Sequence, residues 1–261
     1  MAKRVVKLEK FYTKDEVSSF CISKLDFRDY DRIVEPSAGS GSFSKKLDKN
    51  KIVSLDILPE DESILQFDFF DYKFDNSLKT IVVGNPPFGR QSSLAFKFIN
   101  HAASFDCVKT IAFILPKSFK KESSHKKINN FFWLKEEYDL GEKSFCYGIE
   151  NVDIPCVFQI WERKDVVRIY EKRNLNSFSF VKKKEEPDFS IRRVGFYAGK
   201  GFLNCETKNE NSHYFIKLND SGNLEKTINN LNRVVWAHNN TVGSRSISKD
   251  EIIDVLENII K

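Results

Sequence analysis

Residues that build disulfide frameworks and metal sites are scarce in this chain. Its 261 residues include five cysteines and four histidines. Cys21, Cys107, Cys146, Cys156 and Cys205 are odd in number and contain no Cys-x-x-Cys pair. That excludes a disulfide scaffold and points to free thiols in a reducing compartment. His101, His125, His213 and His238 are scattered without metal-ligand spacing, so no metal is expected. No apolar run approaches the ~20 residues of a membrane span. Residues 1–10 are charged and lack the apolar stretch of a secretion signal. The expectation is an intracellular chain with no membrane partner. Eleven glycines and seven prolines are too few for a low-complexity or collagen-like chain.

What is present is globular. Hydrophobic residues make up 41% and include 24 phenylalanines, enough for a substantial aromatic core. Lys and Arg number 42 against 37 Asp and Glu, a net charge of +5. Such a balance permits a polyanionic partner without demanding one. The length suits a mid-sized domain with an appendage, or two small domains.

Periodicity predicts a helix over 14–26, opened by a capping box between Thr13 and Glu16. Short apolar strands follow at 32–35, 51–55, 64–67, 80–84 and 109–115. A short helix is expected at 43–47, a longer one at 92–104 and a basic helix at 118–132. A further strand at 152–161 would form a hairpin with 134–140. Strands alternating with helices, and apolar along their whole length, imply a largely parallel sheet covered on both faces. Ligands of such sheets sit at the carboxyl ends of the strands.

The pattern changes after about residue 163. A charged, proline-ended connector spans 182–187, strands are expected at 191–197 and 214–218, and a helix at 224–231. Ser248 and Glu251 form a second capping box before a terminal amphipathic helix carrying Ile252, Ile253, Val255, Leu256, Ile259 and Ile260. The division expected is a catalytic domain over 1–165 and a smaller α+β appendage over 166–261, the boundary falling within 163–187.

Four strand ends carry chemistry. After the first comes Glu35-Pro36-Ser37-Ala38-Gly39-Ser40-Gly41-Ser42-Phe43, whose small residues let backbone approach a ligand closely. An ordinary strand-to-helix turn reads the same way. After the second comes Asp56, followed by Ile57. A carboxylate there can accept both hydroxyls of a ribose, and a surface Asp in a turn is equally compatible. After the third, Asp68 precedes Phe69 and Phe70: an acceptor for an amino group beside aromatic rings, or a solvated acid beside a core pair. After the fourth stands Asn85-Pro86-Pro87-Phe88. At average residue usage this tetrapeptide occurs by chance in roughly one chain in a thousand of this length, so it is the sharpest signal here. Its prolines hold the Asn85 side chain and the Pro86 carbonyl in fixed directions.

This set resembles the class I S-adenosylmethionine-dependent amino-methyltransferases of the Asn-Pro-Pro-Phe/Tyr type, particularly the N6-adenine enzymes of DNA and RNA. The resemblance covers about residues 11–163. It implies a Rossmann-like α/β fold with a mostly parallel seven-stranded sheet and helices on both faces. It also implies S-adenosylmethionine as cofactor, S-adenosylhomocysteine as product and no metal. In the family the segment matching Phe11-Tyr12-Thr13 touches the methionine end of the cofactor. Glu35, Pro36, Ser37, Gly39 and Gly41 would cradle that moiety. Asp56 would hold the ribose, Ile57 would also bind the cofactor, and Asp68 and Phe69 would hold the cofactor adenine. Asn85 and Pro86, backed by Pro87, would grip the target amine while Phe88 stacks on the target base. Phe145, in Lys143-Ser144-Phe145-Cys146-Tyr147, would close the other face, with Tyr147 as the alternative. Pro155-Cys156 resembles the nucleophile pair of cytosine-C5 methyltransferases, but the loop that pair would need holds Asn85–Phe88, so Cys156 is expected in the core.

Lys117, Lys120, Lys121, Lys126 and Lys127 would either track a phosphate backbone or form a solvated helix face. Arg192, Arg193, Lys200 and Lys208 interleave with Phe196, Tyr197 and Phe202, a mixture suited to nucleic acid. Gly243-Ser244-Arg245-Ser246 reads as a substrate loop or as packing. The expected activity is methylation of N6 of adenine in a nucleic acid, DNA favoured slightly over RNA, with no protein partner implied. Protein glutamine methylation ranks lower, since its enzymes usually carry Tyr where Phe88 stands. A catalytically dead scaffold would have no chemical need for Asn85–Phe88 and Asp56.

Overall fold

The computed structural model describes residues 12–142, 144–147, 150–152, 154–171, 175–236 and 245–260. Phe11, Lys143, His238, Gly243 and Ser244, and the side chain of Tyr147, lie outside the described residues. The chain divides into two compact units, Met1–Lys120 with Ser124–Ile169, and Lys121–Ser123 with Tyr170–Lys261.

The first unit is built on a seven-stranded sheet. In chain order its early elements are β1 (Tyr12–Thr13), α1 (Asp15–Ser23), β2 (Arg32–Glu35), β3 (Ile52–Asp56), β4 (Leu65–Gln66), β5 (Thr80–Gly84), α2 (Ser93–Ala103) and β6 (Val108–Pro116). A short α3 (Glu122–His125) precedes β7 (Phe132–Asp139), β8 (Phe145–Tyr147), β9 (Glu150–Val152) and β10 (Cys156–Arg163). The large sheet runs β4-β3-β2-β5-β6-β10-β7. The pairs from β4 to β6 are parallel, and β10 is antiparallel to both its neighbours. This is the expected Rossmann-like α/β architecture. β5 alternates across the sheet: Ile81 and Val83 join a core with Cys21, Phe43 and Phe158 on one face, and Val82 joins Phe98, Ile99 and Phe113 on the other. Helices thus cover both faces, α1 on the first and α2 on the second. Each fully buried aliphatic or aromatic side chain contributes roughly 1.5–3 kcal/mol. The strand order reverses between β2 and β5, where a crevice opens at the strand ends.

Three local expectations fail. Thr13 does not cap α1; Lys14 is the N-cap, without a side-chain hydrogen bond. Thr13 instead pairs with Phe145 across a three-stranded sheet β1-β8-β9, so its backbone and hydroxyl are engaged elsewhere. The expected basic helix over 118–132 is a 3-10 turn, Lys117–Lys120, followed by the single turn of α3. Its later carbonyls are taken by distant donors, which replace helical hydrogen bonds. Arg168 Nη2 donates to Ile128 O at 2.9 Å and to Asn129 O at 3.2 Å, and Asn100 Nδ2 donates to Lys127 O at 2.9 Å. The expected strand 152–161 is split, since β9 ends at Val152 and β10 starts only after Pro155.

The second unit has its own core. β11 (Phe178–Val181), β12 (Phe189–Arg192), β13 (Gly201–Phe202) and β14 (His213–Leu218) form an antiparallel sheet in the order β11-β14-β12-β13. It packs with α4 (Leu224–Arg233) and α5 (Lys249–Ile259) around Phe178, Phe189, Ile191, Ile216, Leu231, Ile252 and Leu256. Ser248 caps α5 through the expected box with Glu251. The 182–187 connector turns the chain between β11 and β12, two strands of this one sheet. The strand expected over 191–197 ends at Arg192, because Gly195 takes a left-handed backbone. Among the described residues no helix is long and apolar enough to cross a membrane.

Candidate active site

The ends of β2, β3 and β5, with the segment after β4, surround a cavity of about 410 Å³. Its lining contains Tyr12, Thr13, Glu35, Pro36, Ser37, Gly39, Asp56, Ile57, Asp68, Phe69, Asn85, Pro86, Pro87, Phe88 and Phe145. Gly41 does not line it; its N–H donates to Ala38 O at 2.7 Å and turns the loop.

The loop after β2 is held at both ends. Glu35 is buried, and its Oε2 accepts the Ser44 N–H at 2.9 Å. Gly39 lies at φ +55 and donates its N–H to Asp56 Oδ2 at 2.8 Å, tying this loop to the end of β3. Asp56 Oδ1 accepts the Leu58 N–H at 2.8 Å. Each carboxylate oxygen keeps a lone pair for a hydroxyl. The Asp68 carboxylate accepts from the Phe70 N–H at 2.9 Å. Phe69 is largely a core residue, stacked on Phe98 at 5.1 Å between ring centroids.

The Asn85 amide is the most informative group. Its Nδ2 donates to Thr13 Oγ1 at 3.1 Å, and its backbone carbonyl accepts from Ser37 Oγ at 3.0 Å. Ser42 Oγ in turn donates to the Thr13 carbonyl at 3.1 Å. Asn85 Oδ1 is buried with no hydrogen-bond partner among the described residues. An unsatisfied buried acceptor costs about 1–3 kcal/mol, a strain that a ligand N–H would relieve. Phe88 is half-buried and bridges the two core clusters. Phe145 is buried in β8 and also lines the cavity.

Sequence reasoning missed Glu60, Leu58, Leu94 and Ile154, all part of the lining. The Tyr12 hydroxyl donates to Glu60, and burial followed by that carboxylate pushes the phenol up to about 12. No local pattern marks this pair, which lies 48 residues apart. Lys117 and Lys120 are not brought to the cavity. They pair with carboxylates of β7, Lys117 with Asp139 at 3.4 Å and Lys120 with Asp139 at 3.0 Å and Glu137 at 3.3 Å. Cys156 is buried in β10, where an apolar strand would put it.

The electrostatics select the kind of ligand. Glu35, Asp56, Glu60 and Asp68 line the cavity, while no Lys, Arg or His does so among the described residues. Such a wall disfavours phosphate-bearing dinucleotides and suits a cation with hydroxyl and amino groups. S-adenosylmethionine, with its sulfonium and ammonium, fits this donor set. Glu35, the loop to Gly39, Asp56 and Asp68 are the groups of this cavity that could hold a ligand of that kind. Among the described residues no cluster of His, Cys, Asp or Glu could hold a metal.

Burial raises the Glu35 carboxyl from 4.5 to about 7, against the lowering effect of the Ser44 and Phe43 hydrogen bonds. A raised folded-state pKa stabilises the fold fully below about pH 4.5, and that contribution is lost as pH rises through about 7. The loss is on the order of 3 kcal/mol. Urea unfolding between pH 5 and 8 should show it, with Glu35→Gln flattening the slope. An unchanged slope in that variant would remove Glu35 as the source.

No curated protein matches the chain significantly in sequence. Solved structures remotely similar to it include the following three. The modification subunit of a "putative type I restriction enzyme" from Vibrio vulnificus YJ016 shares 13% identity over 61% of this chain and 46% of its own, with a TM-score of 0.47. A "putative RNA methyltransferase" from Pyrococcus horikoshii shares 15% over 62% and 90%, with a TM-score of 0.47. The 23S rRNA methyltransferase ErmE shares 12% over 62% and 73%, with a TM-score of 0.46. The chain thus spans less than half the length of the first of these. The family described as the EDM2 methyltransferase-like domain matches residues 26–177, more than half of the chain and a span that includes β2 to β10. The protein is a member of the EDM2 methyltransferase-like domain family.

Proposed function

We propose that the protein methylates N6 of an adenine in a nucleic acid, with S-adenosylmethionine as donor. One observation carries this reading: the Asn85 amide, anchored through Nδ2 on Thr13, has a buried Oδ1 with no partner in a cavity walled by carboxylates and aromatic rings. An adenine amine is a poor nucleophile because its lone pair is delocalised into the ring. An N–H held by Asn85 Oδ1 and a second held by the Pro86 carbonyl raise electron density on that nitrogen and favour a tetrahedral geometry. Bound in this cavity, S-adenosylmethionine would supply a sulfonium methyl for transfer to that nitrogen, leaving the neutral thioether and releasing the nitrogen's proton to solvent. The chain's own contribution is positioning and fixed dipoles. Phe88 offers a face for the base, and Phe145 bounds the same cavity. A base inside a duplex cannot reach such a site, so it is flipped or already unpaired.

The test is incubation of the purified chain with radiolabelled S-adenosylmethionine and, separately, duplex DNA, single-stranded DNA, RNA and total protein. DNA is the first substrate to try. Label in one nucleic acid, mapped to N6-methyladenine and lost in Asn85→Ala, is the expected result. Label in protein alone, or on another base, would overturn the adenine reading.

A further inference from the structure

The loop between β12 and β13 in the second unit holds two aromatic rings in solvent. Phe196 is 76% exposed and Tyr197 60%, and the rings meet edge to face at 5.2 Å. Exposed rings of this size usually mark a contact surface.

The loop that carries them is rigidly built. Gly195 and Gly199 sit at φ +91 and +94, where other residues would be strained. The Gly195 N–H donates to Arg245 O at 2.8 Å, and the Gly199 N–H to Arg192 O at 2.7 Å. Val194 bridges Ser246. Asn232 Oδ1 accepts the Gly201 N–H at 2.8 Å. A Cβ on Gly199 would lie 2.2 Å from Trp236 Nε1, so this backbone fits only glycine.

The surroundings are cationic. Arg245 lies over the Phe196 ring, its Cζ 5.4 Å from the centroid. From Phe189 to Cys205 the sequence carries Arg192, Arg193 and Lys200 and no Asp or Glu. Among the described residues no ion pair joins Arg193, Lys200 or Arg245 to a carboxylate. The Arg245 guanidinium lies beside these flat faces, while Arg193 lies over Tyr214 and Lys200 donates to Asn232 O, so the loop adds positive charge to exposed rings, which complements a ligand that is itself flat rings on a polyanionic chain.

We infer that Phe196 and Tyr197 form a stacking platform for unpaired nucleotides of a nucleic acid strand, with Arg245, Arg193 and Lys200 facing its phosphates. The inference rests on the proposed function for its choice of ligand. Base stacking on aromatic rings tolerates any sequence and needs the bases out of a duplex. The platform therefore binds single strands without strict sequence preference, and the binding weakens with salt.

The experiment uses the full chain and an adenine-free strand, so neither methyl transfer nor the Asn85 grip is being read. Binding of a fluorescein-labelled 12-nucleotide oligothymidylate is followed by anisotropy. The double variant Phe196→Ala, Tyr197→Ala should raise Kd about tenfold or more, with an unchanged melting temperature because both rings are exposed. In a second arm, Phe196→Trp should show fluorescence quenched by the oligonucleotide relative to the parent protein. A Kd within twofold of the parent in the alanine variant, or no quenching of Phe196→Trp at saturation, overturns the platform. So does equal or tighter binding of a duplex with the same alanine sensitivity. A fluorescence change of Phe196→Trp with phosphatidylserine vesicles and not with the oligonucleotide would assign the loop to a membrane surface instead. Retained oligothymidylate binding in a protein that methylates no adenine would leave the platform standing and sink the proposed function alone.

Discussion

Replacing Asn85 by alanine is expected to lower kcat for methyl transfer by about 10²–10³-fold, the usual cost of removing one preorganised dipole from a reacting centre. Cofactor affinity should stay within about threefold, because the carboxylates assigned to the cofactor are on other strands. The expectation depends on the orientation of the amide. With Nδ2 on Thr13 Oγ1, Oδ1 is the atom left without a partner. On the proposed function, Thr13 is expected to be a positioning residue that acts through Asn85. Thr13→Val keeps the shape and removes the hydroxyl, so kcat should fall about tenfold, in line with the roughly 1.4 kcal/mol of a hydrogen bond. Thr13→Ser should restore it. Single-turnover rates with saturating cofactor separate this from a binding defect. Full activity in Thr13→Val would mean that something else orients the amide. Full activity in Asn85→Ala would remove the amide from the chemistry altogether.

A comparable effect on stability is expected at Trp161. It is fully buried in β10, the central member of the antiparallel end of the sheet, opposite Ile111 of β6 and Leu134 of β7. Its Nε1 donates to Gln159 Oε1 at 3.1 Å. The Arg168 guanidinium lies 5.1 Å above the ring, and His125 meets it edge-on at 5.0 Å. Trp161→Ala leaves a large void and an amide oxygen without its donor, so a loss of about 3–5 kcal/mol is expected. Total stabilities of domains are only about 5–15 kcal/mol, so the variant should be markedly destabilised at 37 °C. Equilibrium urea unfolding measures it, with Trp161→Phe as the partial control. A loss below about 1 kcal/mol would show that the neighbours close over the gap.

β2, β3, β5 and β6 are legible in the sequence because each carries an apolar run closed by turn residues, and β5 begins and ends where the periodicity puts it. The strand-end residues Glu35, Asp56, Asp68 and Asn85 were legible for the same reason: in a parallel sheet, the position after a strand defines the edge that binds ligand. The basic stretch 118–132 departs from the expected helix because its later carbonyls are satisfied by Arg168 and Asn100 from elsewhere in the chain. The charge of Lys117 and Lys120 leaves a phosphate backbone and solvent equally open as partners, and the carboxylates that pair with them, Glu137 and Asp139, lie on a strand that pairs by register with β10.

Local patterns thus settle the alternation of strand and helix, the residues placed at each strand end and the N-terminal cap of α5, because these depend on neighbours a few residues apart. The orientation of the Asn85 amide does not. It needs Thr13, which reaches it only because β1 pairs with β8 and sets Thr13 opposite Phe145, 132 positions later in the chain. The same pairing accounts for Thr13 leaving the cap of α1. Hydrogen bonds and hydrophobic contacts between such distant segments carry no periodic signature, so they arise from the closed fold.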